Sequence, residues 1–409
     1  MNKCTETVSP LNLKSAGIHA NRWTLALAGA GLVSFGALVH AEEASHQVMT
    51  ALSQTTLSGY VDSSAIWKFG RGNAPFPGRA FDGASKADGF NLNVVKLQLE
   101  KPLSEEQWSA GYQVGILFGP DAVAYNGSPV GAGFDTDDVS VKDAYVALRA
   151  PVGNGIDFKI GTFSTIVGYE VFEGPNNPNY SRSYGWQLEP TQHTGVHAAY
   201  KATDWLSVMA CVVNTWTAGI NARPMRGAVA ADETEKTYMG GITLTAPESF
   251  GFLAGASLYA SAVDGLAGGP RDTKLYYAGA TLPTPVEGLT LGAAYDYRED
   301  SSIAGPSGDR AYAVAGYISY QATEKLKLNG RVDFTNADDG TWYASAAAGK
   351  AAGTHNELIA YTATVDYSLW ANVLSRAELR YDHALNGAKP FGTADKNAIT
   401  LAANIVYKF

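Results

Sequence analysis

The chain has 409 residues, a formal net charge of −9 from 39 acidic and 30 basic side chains, and two cysteines. That acidic balance argues against a nucleic-acid partner, whose phosphates require basic surface. Although 46% of the residues are hydrophobic, no apolar run after residue 41 reaches the ~18–20 residues a membrane helix needs, so any crossing must be made by strands.

Residues 1–41 read as an export leader. Lys14 and Arg22 supply positive charge, Trp23 to Val39 is apolar, and Val39-His40-Ala41 offers a small-residue cleavage site before Glu42. The apolar run is too short for a membrane anchor. Cleavage removes Lys3, Lys14, Arg22 and Glu6 and leaves the chain more acidic. It also removes Cys4, so Cys211 has no partner for an internal disulfide. Residues 42–55 form a short polar segment, expected on the periplasmic side as a helical turn or without regular structure.

From residue 56 to the end the sequence alternates, in sixteen segments of about 8 to 13 residues. Ten residues at ~3.4 Å each, tilted near 45°, rise roughly 24 Å, the height of the apolar band of an outer-membrane barrel. In Trp108 to Phe118 the parity of Trp108, Ala110, Tyr112, Val114, Ile116 and Phe118 is apolar, and Ser109, Gly111, Gln113, Gly115 and Leu117 oppose it. Phe90 to Lys101 changes phase at Val94-Val95, the signature of a bulge. Trp205 to Thr215 is apolar on both parities and its facing stays open. Leu326 to Thr335 alternates cleanly, and Val373 to Asp382 does so apart from Leu374 and Ser375. The last segment sets Ile399, Leu401, Ala403, Ile405, Tyr407 and Phe409 against Ala398, Thr400, Ala402, Asn404 and Lys408, with Val406 the exception. A final strand that must pair with the first has reason to end this way.

The expected fold is therefore an all-β, transmembrane antiparallel barrel of about 16 strands over residues 56–409. Short turns such as Pro151 to Gly155 and Ala246 to Gly251 follow the even strands. Long Gly-, Asp- and Asn-rich loops such as Lys68 to Gly89 and Asn336 to Asn356 follow the odd ones. This sorting predicts short periplasmic turns and long extracellular loops. Outward pairs Tyr312 with Tyr320, Trp108 with Phe118, and Tyr361 with Tyr367 predict two interfacial aromatic girdles.

Two inward rows carry charge: Lys327, Arg331 and Asp333, and, two strands later, Arg376, Glu378, Arg380 and Asp382. They are expected to line a wet lumen and set its charge selectivity, or to pair with one another and fill it. Small inward residues, among them Gly292, Ala294, Ala311, Ala313, Ala315, Thr362 and Thr364, leave room for a channel. After the fifth strand, Ser164 to Trp186 is expected to fold inward as a constriction loop. Glu170 and Glu173 would form its acidic side, shaped by Tyr180, Arg182 and Tyr184.

The runs T-L-S-G-Y-V-D-S-S-A-I-W (56–67) and F-N-L-N-V-V-K-L-Q-L-E-K-P-L (90–103), and the loop G-Y-E-V-F-E-G-P-N-N-P-N-Y-S-R-S-Y-G-W, resemble the OmpL-like "porin-2" family of β-barrel porins across nearly the whole chain after the leader. The closing Tyr407-Lys408-Phe409 resembles the terminal signal read by the outer-membrane assembly machinery. The resemblance implies a Gram-negative outer-membrane pore. The acidic P-E-F-G loop tip of the trimeric general porins is absent, so neither their constriction chemistry nor their trimer carries over.

The function expected is passive diffusion of ions and small hydrophilic solutes, with outer-membrane lipid as partner, no cofactor, and homo-oligomers left open. The alternative is a non-conducting barrel that acts as an adhesin or ligand-binding protein through its long loops. No catalytic or metal set stands out. His193 and His197 share a parity but lie about 13 Å apart along a strand, too far for one metal.

Overall fold

The computed structural model describes residues 48–49, 54–70, 72, 76–126, 139–216, 218–226, 229–230, 235–266, 271–302 and 309–409. The predicted leader and most of residues 42–55 lie outside them. Val48 and Met49 pair with Leu57 and Thr56 at the start of the first strand.

Sixteen antiparallel strands form one closed barrel. They are β1 (Thr56–Phe69), β2 (Gly89–Lys101), β3 (Ala110–Phe118) and β4 (Val139–Ala150). Next come β5 (Ile156–Ser164), β6 (Gln192–Lys201), β7 (Leu206–Val213) and β8 (Thr237–Thr245). Then follow β9 (Ser257–Leu266), β10 (Arg271–Pro283), β11 (Leu289–Ser302) and β12 (Asp309–Gln321). The last four are β13 (Leu326–Ala337), β14 (Asn356–Trp370), β15 (Val373–Ala384) and β16 (Asn397–Lys408).

Each strand pairs with its sequence neighbours, and β16 closes on β1 from Ile399↔Phe69 to Lys408↔Tyr60. At the seam, the Phe409 N–H donates to Gly59 O (3.0 Å) and the Gly59 N–H to Phe409 O (2.9 Å). A Cβ on Gly59 would lie 2.1 Å from the Lys96 carbonyl oxygen of the neighbouring strand and 2.8 Å from the Phe409 ring, so this close approach requires glycine. The terminal aromatic thus forms part of the closing ladder.

Alternation sorts the faces as pattern physics requires. On β16, Ile399, Leu401, Ile405 and Tyr407 are exposed outward, while Ala398, Thr400, Ala402, Asn404 and Val406 are buried inside. The same rule settles β7: Val212 points out, and Cys211 and Val213 point in. The outward apolar belt continues around the barrel through Val146, Ile160, Val196, Ile242, Leu291, Ile318, Val332, Val365 and Leu379. A patch of that extent is far larger than a water-soluble monomer exposes and suits lipid.

Three register shifts interrupt the ladders of the described strands; one lies at the end of β14, between Ser368 and Trp370, and the other two are bulges within strands. Between β1 and β2 the register passes from Asp62↔Val94 to Ser63↔Leu92, leaving Asn93 as the extra residue. The predicted phase change in β2 is therefore a bulge at Asn93. Between β3 and β4 it passes from Gly115↔Asp143 to Ile116↔Val141, leaving Lys142 extra. Each bulge turns two consecutive side chains inward: Asn93 with Val94, and Lys142 with Asp143, all buried.

Links at the end that holds both termini run over 102–109, 151–155, 202–205, 246–256, 284–288, 322–325 and 371–372. Long links at the opposite end span 70–88, 119–138, 165–191, 214–236, 338–355 and 385–396. Two links at that end, 267–270 and 303–308, are shorter than the sequence pattern led us to expect. There the ladders run on to Leu266↔Asp272 and Asp300↔Asp309. Trp108, expected to start a strand, lies in the turn before β3 at φ 60°.

Candidate functional site

The link after β5, residues 165–191, folds into the barrel, and the inward side chains of β13 to β15 meet it. Register places Arg331, Thr362 and Arg380 side by side across these strands, with Asp333, Ala360 and Asp382 in the next row and Lys327, Asp366 and Arg376 further toward the termini. Thr362 and Ala360 are small, so the flanking arginines can lean over them and reach the loop.

Arg331 uses its whole guanidinium. It donates to Asp333 Oδ2 (2.9 Å), Glu170 Oε1 (2.8 Å) and the carbonyls of Ser181 (2.6 Å) and Arg182 (3.1 Å). Arg380 donates to Asp382 (3.0 Å) and to the Arg182 carbonyl (2.6 Å). Arg376 forks onto Asp366 and donates to the carbonyls of Gly174 (3.1 Å) and Asn177 (2.8 Å). Carboxylates on the same wall take the loop's amide hydrogens. Glu378 accepts from the backbone N–H of Tyr180 (2.6 Å) and Ser181 (3.0 Å), and Asp333 from that of Tyr184 (3.0 Å). The Tyr184 hydroxyl donates to Asp382 (2.7 Å). An irregular segment inside a barrel must satisfy its peptide groups, and the two charged rows do this. Arg331, Asp333, Arg376, Glu378, Arg380 and Asp382 are consequently buried, and Lys327 alone of the predicted set is half-buried.

Local sequence shapes the loop tip. Gly174–Asn176 forms a single 3-10 turn with Pro175 near its start. Asn177 then acts as a substitute peptide: it accepts from the Val171 N–H (2.8 Å) and donates to the Val171 and Glu173 carbonyls (2.6 and 3.0 Å). Beyond the tip, Asn179 donates to Thr364 (2.7 Å) and the Tyr180 hydroxyl to Ser64 (3.0 Å).

The predicted acidic pair divides between two clasps. Glu170 faces Arg331 and also accepts from the Ser183 N–H (2.7 Å). Glu173 crosses to the other wall, against Lys96 (2.5 Å) and Lys142 (3.1 Å). Burial opposes its charge, yet Lys142 and Lys96 together hold the Glu173 carboxyl well below its ordinary range. Arg182 sits over the rings of Phe81 and Trp186 (5.3 and 5.5 Å).

Neighbouring loops add to the assembly. Arg79 of the first link pairs with Asp82 and with Asp382 (2.6 Å), and Phe81 packs edge-on to Phe172. The short helix α1 (Pro120–Asn126) follows β3 and seats Tyr125 against Phe172. In α1, Asp121 pairs with Lys86, and burial raises its carboxyl to about 6 despite that lysine. Sequence reading missed Arg79, Asp82, Lys86, Lys96, Asp121, Lys142 and Asp143. One signal was present: adjacent Lys142-Asp143 inside an otherwise alternating strand is the mark of a bulge. The small residues Ala294, Ala311, Ala313 and Ala315 are buried in one apolar cluster with Val167, Tyr184 and Leu188 of the loop. They make room for the loop rather than for water.

Half-exposed inward positions reach deepest on β5 to β9, at Asp157, Lys159, Ala199, Met209, Gly241, Tyr259 and Ser261. Among the described residues no cluster of three metal-ligating side chains is found.

A family model described as "Putative beta-barrel porin-2, OmpL-like" matches residues 54–409. The chain belongs to this family. It is accordingly an outer-membrane porin of a Gram-negative bacterium, in a family and fold of channels rather than enzymes. Solved structures share this porin's fold at low identity. The anion-selective porin from Comamonas acidovorans aligns at TM-score 0.56 and 9% identity, covering 87% of this chain and 99% of that one. Outer-membrane expressed OmpT of Vibrio cholerae aligns at 0.55 and 12%, covering 88% and 100%. The outer membrane channel DcaP of Acinetobacter baumannii aligns at 0.54 and 13%, covering 87% and 97%. No curated protein sequence matches the porin.

Proposed function

We propose that this porin is a passive diffusion channel for ions and small hydrophilic solutes, narrowed by the inward loop and open to the periplasm along the β5–β9 wall. The observation that carries the reading is a contrast in exposure. The inner face of β13–β15 is buried under the loop beyond its first positions, whereas that of β5–β9 keeps partly exposed, mostly small or polar side chains over the half nearer the termini before burial sets in at His197, Cys211, Met239 and Val263.

On this reading the predicted pore-lining residues act in two ways. Arg331, Asp333, Arg376, Glu378, Arg380 and Asp382 fix the constriction loop and set ion preference through its position, and Lys327 faces the aqueous vestibule directly. Glu170, Glu173, Tyr180, Arg182 and Tyr184 give the constriction its shape. The remaining partners are outer-membrane lipid on the apolar belt and the assembly machinery at Phe409. Self-association of barrels belongs to the same proposal and is read by crosslinking in native membranes.

The test is planar-bilayer conductance with reversal potentials in a KCl gradient. Discrete conductance steps are expected, with ion preference altered in the double variant Arg376→Ala, Arg380→Ala. Bilayers that stay silent with folded protein refute the channel.

A further inference from the structure

Among the described residues, one pair of lumen carboxyls has no ion pair to a cation. Glu170, Glu173, Asp333, Asp366 and Asp382 each lie against an arginine or lysine. Glu189, on the returning limb of the inward loop, instead meets Asp296 of β11 carboxyl to carboxyl. Around them stand a third carboxylate, Glu170, and the phenols of Tyr169, Tyr259 and Tyr277.

The site is built rather than incidental. Asp296 is 2% exposed, and its Oδ1 finds no hydrogen-bond partner. Tyr277, its direct cross-strand neighbour, is 5% exposed, and its hydroxyl is likewise unpartnered. The Tyr277 ring lies along β10 so that its oxygen sits over Gly279, and the Tyr169 hydroxyl sits over Gly292; a Cβ at either glycine would collide with it. On the loop side, Gly185 approaches Asp296 too closely for any side chain, and Gly168 similarly meets Glu189. Four glycines thus clear space around two carboxyls and two phenols.

Carboxylates in contact cannot both be ionised unless something positive lies between them. Burial first, then Asp296 and Glu170, push the Glu189 carboxyl well above its ordinary range. The arrangement therefore stores an unmet demand for positive charge.

We propose that Glu189, Asp296 and the Tyr277 hydroxyl form a binding site for a divalent cation inside the constriction. It rests on the passage proposed above, through which a hydrated ion reaches the pair by way of Tyr259 and the partly exposed edge of Glu189. Two carboxylates and a neutral oxygen suit a hard cation such as Ca²⁺, which completes its 6–8 oxygens with water. The ion would bridge loop and wall where no arginine does so.

The full folded chain in detergent is titrated with Tb³⁺, whose luminescence is sensitised by a nearby tyrosine, and Ca²⁺ is then added as competitor. A saturable signal displaced by Ca²⁺ is expected, weakened about tenfold or more in Asp296→Asn and Glu189→Gln, which each remove one of the two charges. Heat-modifiable migration in gels checks that the variants fold. Tyr277→Phe retains the ring and should weaken binding by a smaller factor. Signals equal in wild type and in all folded variants, or not displaced by millimolar Ca²⁺, overturn the site; a proton alone then holds the pair. In bilayers, Ca²⁺ should depress the K⁺ current of the wild type more than that of Asp296→Asn. Silent bilayers with intact Tb³⁺ binding would refute the channel but not the site; conducting bilayers without binding would do the reverse.

Discussion

Replacing Arg331 by alanine is expected to free the inward loop without opening the barrel. The guanidinium is buried and holds Glu170 and the Ser181 and Arg182 carbonyls of the loop while pairing with Asp333 on its own strand. Its removal leaves Glu170 and Asp333 without their cation in a buried site, and breaking such a pair costs about 3–5 kcal/mol. At ~1.4 kcal/mol per factor of ten, local opening of the loop should rise about 10²- to 10³-fold. The wall ladders are backbone hydrogen bonds that do not pass through Arg331, so the strands should keep their protection. Hydrogen exchange read by mass spectrometry separates the two. Peptides covering residues 165–191, whose Tyr180, Ser181, Ser183 and Tyr184 amides bond to wall or loop carboxylates, should exchange faster by that factor. Peptides from β7 and β8 should not change. Unchanged loop exchange, or equal loss of protection in the strands, would refute the reasoning.

Three further outcomes follow from the same geometry. Gly161→Ala should lower the urea midpoint of the folded barrel by an amount equivalent to about 1–3 kcal/mol, because Gly161 sits at φ 138° and an added Cβ would lie 2.3 Å from the Ala144 carbonyl oxygen. Gly316→Ala, outward with open space around it, should be silent in the same assay. Removing Phe409 takes away the reciprocal bonds with Gly59, and the heat-modifiable, membrane-inserted fraction should fall several-fold relative to wild type. For pH, a carboxyl held below its ordinary value contributes stability that is present above that value and lost only as pH falls through the depressed one. Glu173 is such a group, so Glu173→Gln should reduce loop protection by the same factor at pH 7 and at pH near 5; a factor that shrinks on acidification contradicts the clasp.

Strand parity carried most of the fold because lipid outside and a polar interior impose period-2 patterning on nearly every segment. It failed at β7, where Cys211 and Val213 face inward yet are apolar: they pack in a cluster with Trp216 of the following link instead of meeting water. The charged rows were legible as inward-facing. Their partners were not, because Arg331, Arg376, Arg380 and Glu378 bind main-chain carbonyls and amides of the loop, which no residue type reveals. The expected uniformity of the long links broke down at 267–270 and 303–308, where polar residues such as Asp272, Asp300 and Asp309 continue the ladders. Asp296, within A-Y-D-Y-R-E-D, looks like one more inward charge. Only the returning loop limb, which brings Glu189 to it, distinguishes it from the paired carboxylates.

The central claim is that water passes along the β5–β9 wall while the inward loop occupies the β13–β15 wall. Cysteines placed at Met209 and Ala360, one at a time, test it directly, since Cys211 is buried. With single channels in a bilayer, a bulky thiol reagent should cut the current through Met209→Cys and leave Ala360→Cys unaffected. Block at Ala360 with none at Met209 would contradict the account.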